Sequence, residues 1–148
     1  MAFILHIESA TENCSVALSK DNEILSIINE NNTLRHSEII TLLINKILDS
    51  SGIKYKDLSA VSISEGPGSY TSLRVGTSAA KAICYAWNLP LISVNTLYSL
   101  GFKTYITEPE NNYFFPVIDA RRMEVYGSLF DSKTVSYTHL TLPTSDLV

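Results

Sequence analysis

The stretch from Phe3 to Asn29 constrains the fold more than any other part of the chain. Phe3–Glu8 (FILHIE) and Cys14–Ser19 (CSVALS) are apolar, β-rich runs separated by the polar turn Ser9–Asn13 (SATEN). Asp21-Asn22 marks another turn, and Glu23–Asn29 (EILSIIN) supplies a third run. Turns this short join strands that lie side by side and run in opposite directions. The chain therefore begins as an antiparallel meander.

Helices and strands alternate after it. About Arg35–Ser51 reads as a long helix closed by Gly52, and Ala60–Ser64 (AVSIS) as a short buried strand. Gly66-Pro67-Gly68 breaks the chain before a second helix over about Tyr70–Trp87, stopped by Asn88 and Pro90. Leu91–Val94 reads as another buried strand, about Thr96–Ile106 as a third helix, and Glu108–Asn112 as a polar linker. Strands at Tyr113–Ile118 and Glu124–Phe130 complete the pattern. The order βββαβαβα, then ββ, gives an α/β layer structure with a mixed sheet and flanking helices. It divides the chain into a first lobe at 1–111 and the start of a second at 112–133. Residues 134–148 (TVSYTHLTLPTSDLV) hold one charge, Asp146, and no clean period, so they read as a tail, non-native or disordered.

Composition narrows the function classes. The 148 residues carry a net charge of −4, with no basic tail or Lys/Arg cluster, so the chain lacks the patch that phosphate-driven nucleic-acid binding needs. No apolar stretch approaches the ~20 residues of a membrane helix, and no basic leader precedes the first strand. A cytoplasmic location is expected. Cys14 and Cys84 are far apart in sequence and in no CxxC arrangement, so two reduced thiols are expected.

Two segments look equipped for an anion. Ser9 and Thr11 lie in the first hairpin turn, where small residues let a backbone approach closely. Gly66, Gly68 and Ser69 form a tight turn emptying into a helix N-terminus, with Ser69 or Thr71 placed to cap the free N–H groups. Catalytic and metal-binding residues are not found. His6, His36 and His139 have no second His, Cys or carboxylate at chelating spacing, and neither a Gly-x-Ser-x-Gly elbow nor a P-loop is present. Glu8 reads as a hydrogen-bonding carboxylate beside the turn.

The segment Gly66-Pro67-Gly68-Ser69-Tyr70-Thr71-Ser72-Leu73-Arg74-Val75-Gly76 resembles the GPGSFTGLRIG stretch of the TsaB (YeaZ) family almost position by position. Ile7-Glu8-Ser9-Ala10-Thr11 and Asp119-Ala120-Arg121-Arg122-Met123-Glu124-Val125-Tyr126 resemble two further stretches of that family, the second being its DARRxEVY. Ser72 stands where the family has glycine, which narrows the room for backbone approach. The resemblance covers about Phe3–Lys133. It implies the actin/Hsp70/sugar-kinase (ASKHA) fold, with one lobe present and the second truncated.

The same resemblance implies a role. TsaB is the scaffold for TsaD, which with TsaE places threonylcarbamoyl on N6 of adenosine 37 in tRNAs reading ANN codons. TsaD carries two metal-binding histidines four residues apart, and the matching positions here are Thr96 and Leu100. A leucine cannot ligate a metal. The resemblance thus implies a non-catalytic subunit that meets tRNA only indirectly and holds no cofactor of its own, unless a nucleotide sits at the lobe cleft of the complex. The alternatives are an independent sugar-kinase-like phosphotransferase and, after an old family name, a glycoprotease-like peptidase. The first would need an acidic residue arranged around Mg²⁺ and a complete second lobe. The second would need a nucleophile–base pair or a metal site.

A scaffold needs a docking face. On a helical wheel the first helix centres its apolar arc on Ile39, Ile40, Leu43 and Ile47. Ile44 and Leu48 extend it on one side and Leu42 on the other, to about 240° against the roughly 100° of a one-sided helix. Covering that arc takes two contacts, the chain's own sheet and another helix. In the second helix the small residues Ser72, Gly76, Ala80 and Cys84 lie opposite Arg74 and Lys81, so that stripe is expected in the chain's own core. Leu42, Ile44, Leu48, Arg74 and Lys81 form the candidate partner surface. By resemblance both helices bundle with their TsaD equivalents, or with a second copy in a homodimer.

Overall fold

A computed structural model describes residues 1–30, 36–131 and 138–143, the last of these as backbone only. The chain divides into two compact units, one of Met1–Glu65 with Ser69–Val94 and one of Gly66–Gly68 with Asn95–Val148.

The first unit is built on a five-stranded mixed sheet. Strands β1 (Phe3–Glu8), β2 (Cys14–Lys20) and β3 (Glu23–Glu30) form the meander, and β4 (Leu58–Gly66) and β5 (Leu91–Asn95) extend it in the order β3-β2-β1-β4-β5. β1 runs antiparallel to β2 and parallel to β4. Leu5 lies between Leu18 and Val61, and Ile7 between Val16 and Ile63. This alternation turns one apolar row toward the core, and all six side chains are buried.

Helices α1 (His36–Ser51) and α2 (Tyr70–Trp87) contribute to the same core. Arg35, where the sequence starts the first helix, lies outside the described residues. α1 ends as its chemistry requires: Gly52 is left-handed at φ 66°, and the Ile53 N–H reaches back to the Leu48 carbonyl at 3.0 Å. α2 ends at Asn88, likewise left-handed at φ 52°. Small residues bring α2 close to the sheet, with Gly76 and Ala80 buried. β5 departs from expectation. Leu91 and Ile92 are 37% and 42% exposed because β5 is the outermost strand of its side of the sheet.

In the second unit α3 (Thr96–Thr107) packs on a sheet of β6 (Tyr113–Phe114), β7 (Val117–Arg121), β8 (Glu124–Asp131) and β9 (Thr138–Pro143). Leu97 joins Phe114, Ile118 and Phe130 in its core. The run read as one strand, Tyr113–Ile118, is two, interrupted at Pro116, which has no N–H to give a ladder. The lobe boundary also moves. α3 belongs with the later strands, because Leu97 and Gly101 pack on Phe130, and so the division falls at Asn95 and not at Asn112. Residues 138–143, in the segment read as a tail, pair antiparallel with β8. Residues 132–137 and 144–148 lie outside the description. The βββαβα order and mixed sheet are those of an ASKHA-type lobe.

Candidate functional site

In the first unit the turn after β1 is tied by backbone to Ser69 at the start of α2. Glu8, at the end of β1, accepts the Ala10 N–H at 2.7 Å through Oε1 and the Ser64 hydroxyl through Oε2. The Ala10 carbonyl in turn accepts the Ser69 N–H at 2.7 Å, and the Ser69 carbonyl takes the Leu73 N–H at 2.9 Å, opening α2. The turn after β1 is therefore fixed against the start of α2. The sequence reading of Glu8 as a bonding carboxylate matches this geometry.

The hydroxyls of these segments are placed differently from expectation. Ser9 is fully buried and its Oγ has no hydrogen-bond partner, so it points into the protein and not toward a ligand. The cause is Gly76, whose bare Cα lets the Ser9 side chain settle against α2. Thr11 is half-buried. Ser69 Oγ lies 3.0 Å from Ser72 Oγ, and no side chain caps α2, so neither Ser69 nor Thr71 performs the capping expected of it. Gly66 and Gly68 are grouped with the second unit, Gly66 with a left-handed φ of 110°.

The docking face is also redrawn. Ile44 and Leu48 are only 1% and 2% exposed. They are core residues, because α1 packs at once on β2, on β3 and on α2 of its own chain, which together take up the wide apolar arc. Leu42 remains outside, 64% exposed. Arg74 and Lys81 are exposed on α2, and the Arg74 guanidinium stacks 4.3 Å from the centre of the Tyr70 ring. An open groove of about 370 Å³ runs between α1 and α2 beside Ile40, Thr41, Arg74 and Val75. Two residues of this face escaped the sequence reading, Tyr70 and Tyr85, 68% and 93% exposed. The signal was present, since both lie on the wheel beside Arg74 and Lys81.

Metal chemistry finds no donor set among the described residues, which contain no group of three or more His, Cys, Asp or Glu able to hold an ion. His6 Nε2 lies 2.8 Å from Ser19 Oγ, and burial pushes the imidazole pKa down. The side chains of His36 and His139 lie outside the description. Cys14 and Cys84 are free thiols, each pushed up in pKa chiefly by burial. In the second unit Thr96 is buried at the start of α3, its hydroxyl without a partner, and Leu100 packs half-buried against the Leu97 core. The turn between β7 and β8 holds Arg121, Arg122 and Met123 all at left-handed φ, with the Arg121 N–H bonded to Asp119 at 2.7 Å. No helix among the described residues is long and apolar enough to cross a membrane.

Comparison with known proteins bears on the same residues. The sequence model of the family "TsaD: tRNA N6-adenosine threonylcarbamoyltransferase" matches residues 23–138. The chain is 35% identical, over 86% of its length, to the tRNA threonylcarbamoyladenosine biosynthesis protein TsaB of Buchnera aphidicola, covering 57% of that protein. It is 34% identical, again over 86% of its length, to the tRNA N6-adenosine threonylcarbamoyltransferase of Ligilactobacillus salivarius, covering 48% of it. It thus spans about half the length of the curated relatives it matches. The solved structure of YeaZ from Pseudomonas aeruginosa superposes with a TM-score of 0.86 at 25% identity, covering 97% of this chain and 68% of that one.

Proposed function

Because the chain belongs to the TsaB (YeaZ)–TsaD family, we propose that it is a non-catalytic partner subunit in the biosynthesis of threonylcarbamoyladenosine in tRNA. The observation that carries this reading is the start of α3. By the resemblance to TsaD, Thr96 and Leu100 stand at the positions of its two metal-binding histidines. Here both serve packing, Thr96 buried and Leu100 against Leu97 and its neighbours. A hydroxyl and an isobutyl group cannot replace two imidazoles one helical turn apart.

The subunit acts by docking to the tRNA N6-adenosine threonylcarbamoyltransferase, which transfers threonylcarbamoyl to N6 of adenosine 37, with TsaE in the larger assembly. Its docking surface is the outer face of α1 and α2, where Leu42, Tyr70, Arg74 and Lys81 are exposed. A net charge of −4 supports contact with tRNA through the transferase and not through this chain. The test is reconstitution with the transferase of the same organism and the remaining components. Modification should require both proteins, and the isolated chain should neither modify tRNA nor hydrolyse nucleotide. Nucleotide turnover by the chain alone would favour the phosphotransferase alternative.

A further inference from the structure

β3 is the outermost strand on its side of the five-stranded sheet, and among the described residues nothing pairs with its free edge. It runs for eight residues without a Lys, Arg or Pro, with which sheets commonly blunt such an edge. Its register on β2 sorts its side chains. Ile28, opposite Val16, faces the core that α1 and α2 cover, whereas Ile27, opposite Ala17, and Ile24, opposite Ser19, share the other face. Leu25 is the extra residue of a bulge between these pairs, and Ile24, Leu25 and Ile27 are all exposed. An acid closes the strand at each end. Glu23 stands opposite Lys20 and Glu30 opposite Cys14, so the bulge brings the two acids to six strand steps apart, about 20 Å, on one face. Both are exposed, and among the described residues neither is in an ion pair. Lys20 lies over the Phe3 ring instead, 5.9 Å from its centre.

We propose that this edge is a strand-addition site. It takes an extended segment of a partner protein that carries two basic residues six positions apart around an alternating apolar row. The surface lies outside the α1–α2 docking face and does not depend on it. Addition of a strand supplies main-chain hydrogen bonds along the edge, and side-chain alternation supplies the selection. The first and seventh residues of the incoming strand fall on the face of Glu23 and Glu30 and reach both, whichever way the strand runs. The second, fourth and sixth fall on the other face, beside Ile24, Ile27 and Asn29. A second copy of this chain does not meet that requirement. Two β3 strands paired about a two-fold axis are antiparallel, which sets Glu23 of each copy against Glu30 of the other. Like charges directly opposite one another destabilise a strand pair. The acidic ends thus exclude self-pairing and select a cationic strand.

The probe is a dye-labelled heptapeptide with lysine at both ends and valine and threonine alternating between them, added to the whole chain. It should bind saturably, lose affinity as salt is raised, and slow amide exchange in Glu23–Glu30. Glu23→Lys/Glu30→Lys should weaken binding roughly tenfold. Ile24→Thr/Ile27→Thr, which keeps strand propensity, should weaken it comparably. Circular dichroism confirms that each variant folds. A peptide with glutamate at both ends should fail on wild type and bind the Glu23→Lys/Glu30→Lys variant. Glu110→Lys, at an exposed acid of the second unit, should leave binding of the lysine peptide unchanged. The proposal is overturned if no saturable binding is found, or if Glu110→Lys weakens binding as much as the β3 charge reversal. Equal binding of a peptide with proline at its centre would overturn it too, since charge attraction without strand addition would then account for the affinity. A wild-type dimer that protects β3 amides and is abolished by Ile24→Thr/Ile27→Thr would overturn it in favour of a second copy.

Discussion

Gly76 on α2 lies directly against Ser9 at the end of β1. A Cβ at position 76 would overlap the Ser9 hydroxyl, stand 3.2 Å from the Ser9 Cβ and touch Ile63 at 3.5 Å. The packing of α2 on the sheet therefore depends on the smallness of one residue and the seating of another.

Gly76→Ala is expected to destabilise the chain by about 1–3 kcal/mol through overpacking, in spite of alanine's better helix propensity. Ser9→Ala removes a buried hydroxyl that has no partner, so it should be neutral or mildly stabilising. In the double variant Gly76→Ala should cost less than it does alone. Urea unfolding of the four proteins closes this cycle, and strict additivity would show that the two residues are not in contact.

The tie made by Glu8 is expected to matter more than an exposed acid. Glu8→Ala leaves the buried Ser64 hydroxyl and the Ala10 N–H without their acceptor, at about 1–3 kcal/mol for each group left unpaired. Glu8→Gln retains one acceptor oxygen and should lose less. The comparison is Glu23→Ala, on an exposed site in β3. Equal unfolding midpoints for Glu8→Ala and Glu23→Ala would remove Glu8 from the framework.

On α1, three neighbouring positions should behave differently. Leu43→Glu and Ile44→Glu place a carboxylate at sites 7% and 1% exposed, and both variants should fail to fold. Leu42→Glu keeps its charge in water and should fold normally by circular dichroism. It should nevertheless fail to co-purify with the transferase, because docking would strip water from an unpaired charge. A folded Ile44→Glu would contradict the packing of α1 between sheet and α2.

Acid should act through His6. Burial holds its folded pKa below the ordinary 6.5, so between those two values the unfolded chain binds more protons than the folded one. The stability His6 contributes is present above pH 6.5 and is lost as the pH falls from there toward the folded pKa. His6→Gln should flatten this limb, measured as the urea midpoint at pH 7.5 and 5.5. Equal pH slopes in wild type and variant would assign the acid sensitivity to other groups.

Local chemistry in the sequence determined the elements. Short turns after Glu8 and Ser19 made the meander, Gly52 and Asn88 closed their helices, and the spacing of Gly66 to Tyr70 started α2 where the structure starts it. The wheel of α1 correctly showed an arc too wide for one contact, but not which neighbour would cover it. Only the packing of α2 placed Ile44 and Leu48 in the core and left Leu42 outside. The inward turn of Ser9 depends on Gly76, the exposure of Leu91 on the order of the sheet, and the division at Asn95 on Phe130. Residue spacing fixes which faces a segment has. Burial is a relation between segments distant in sequence, so the choice of which face meets which is made only when the chain closes on itself.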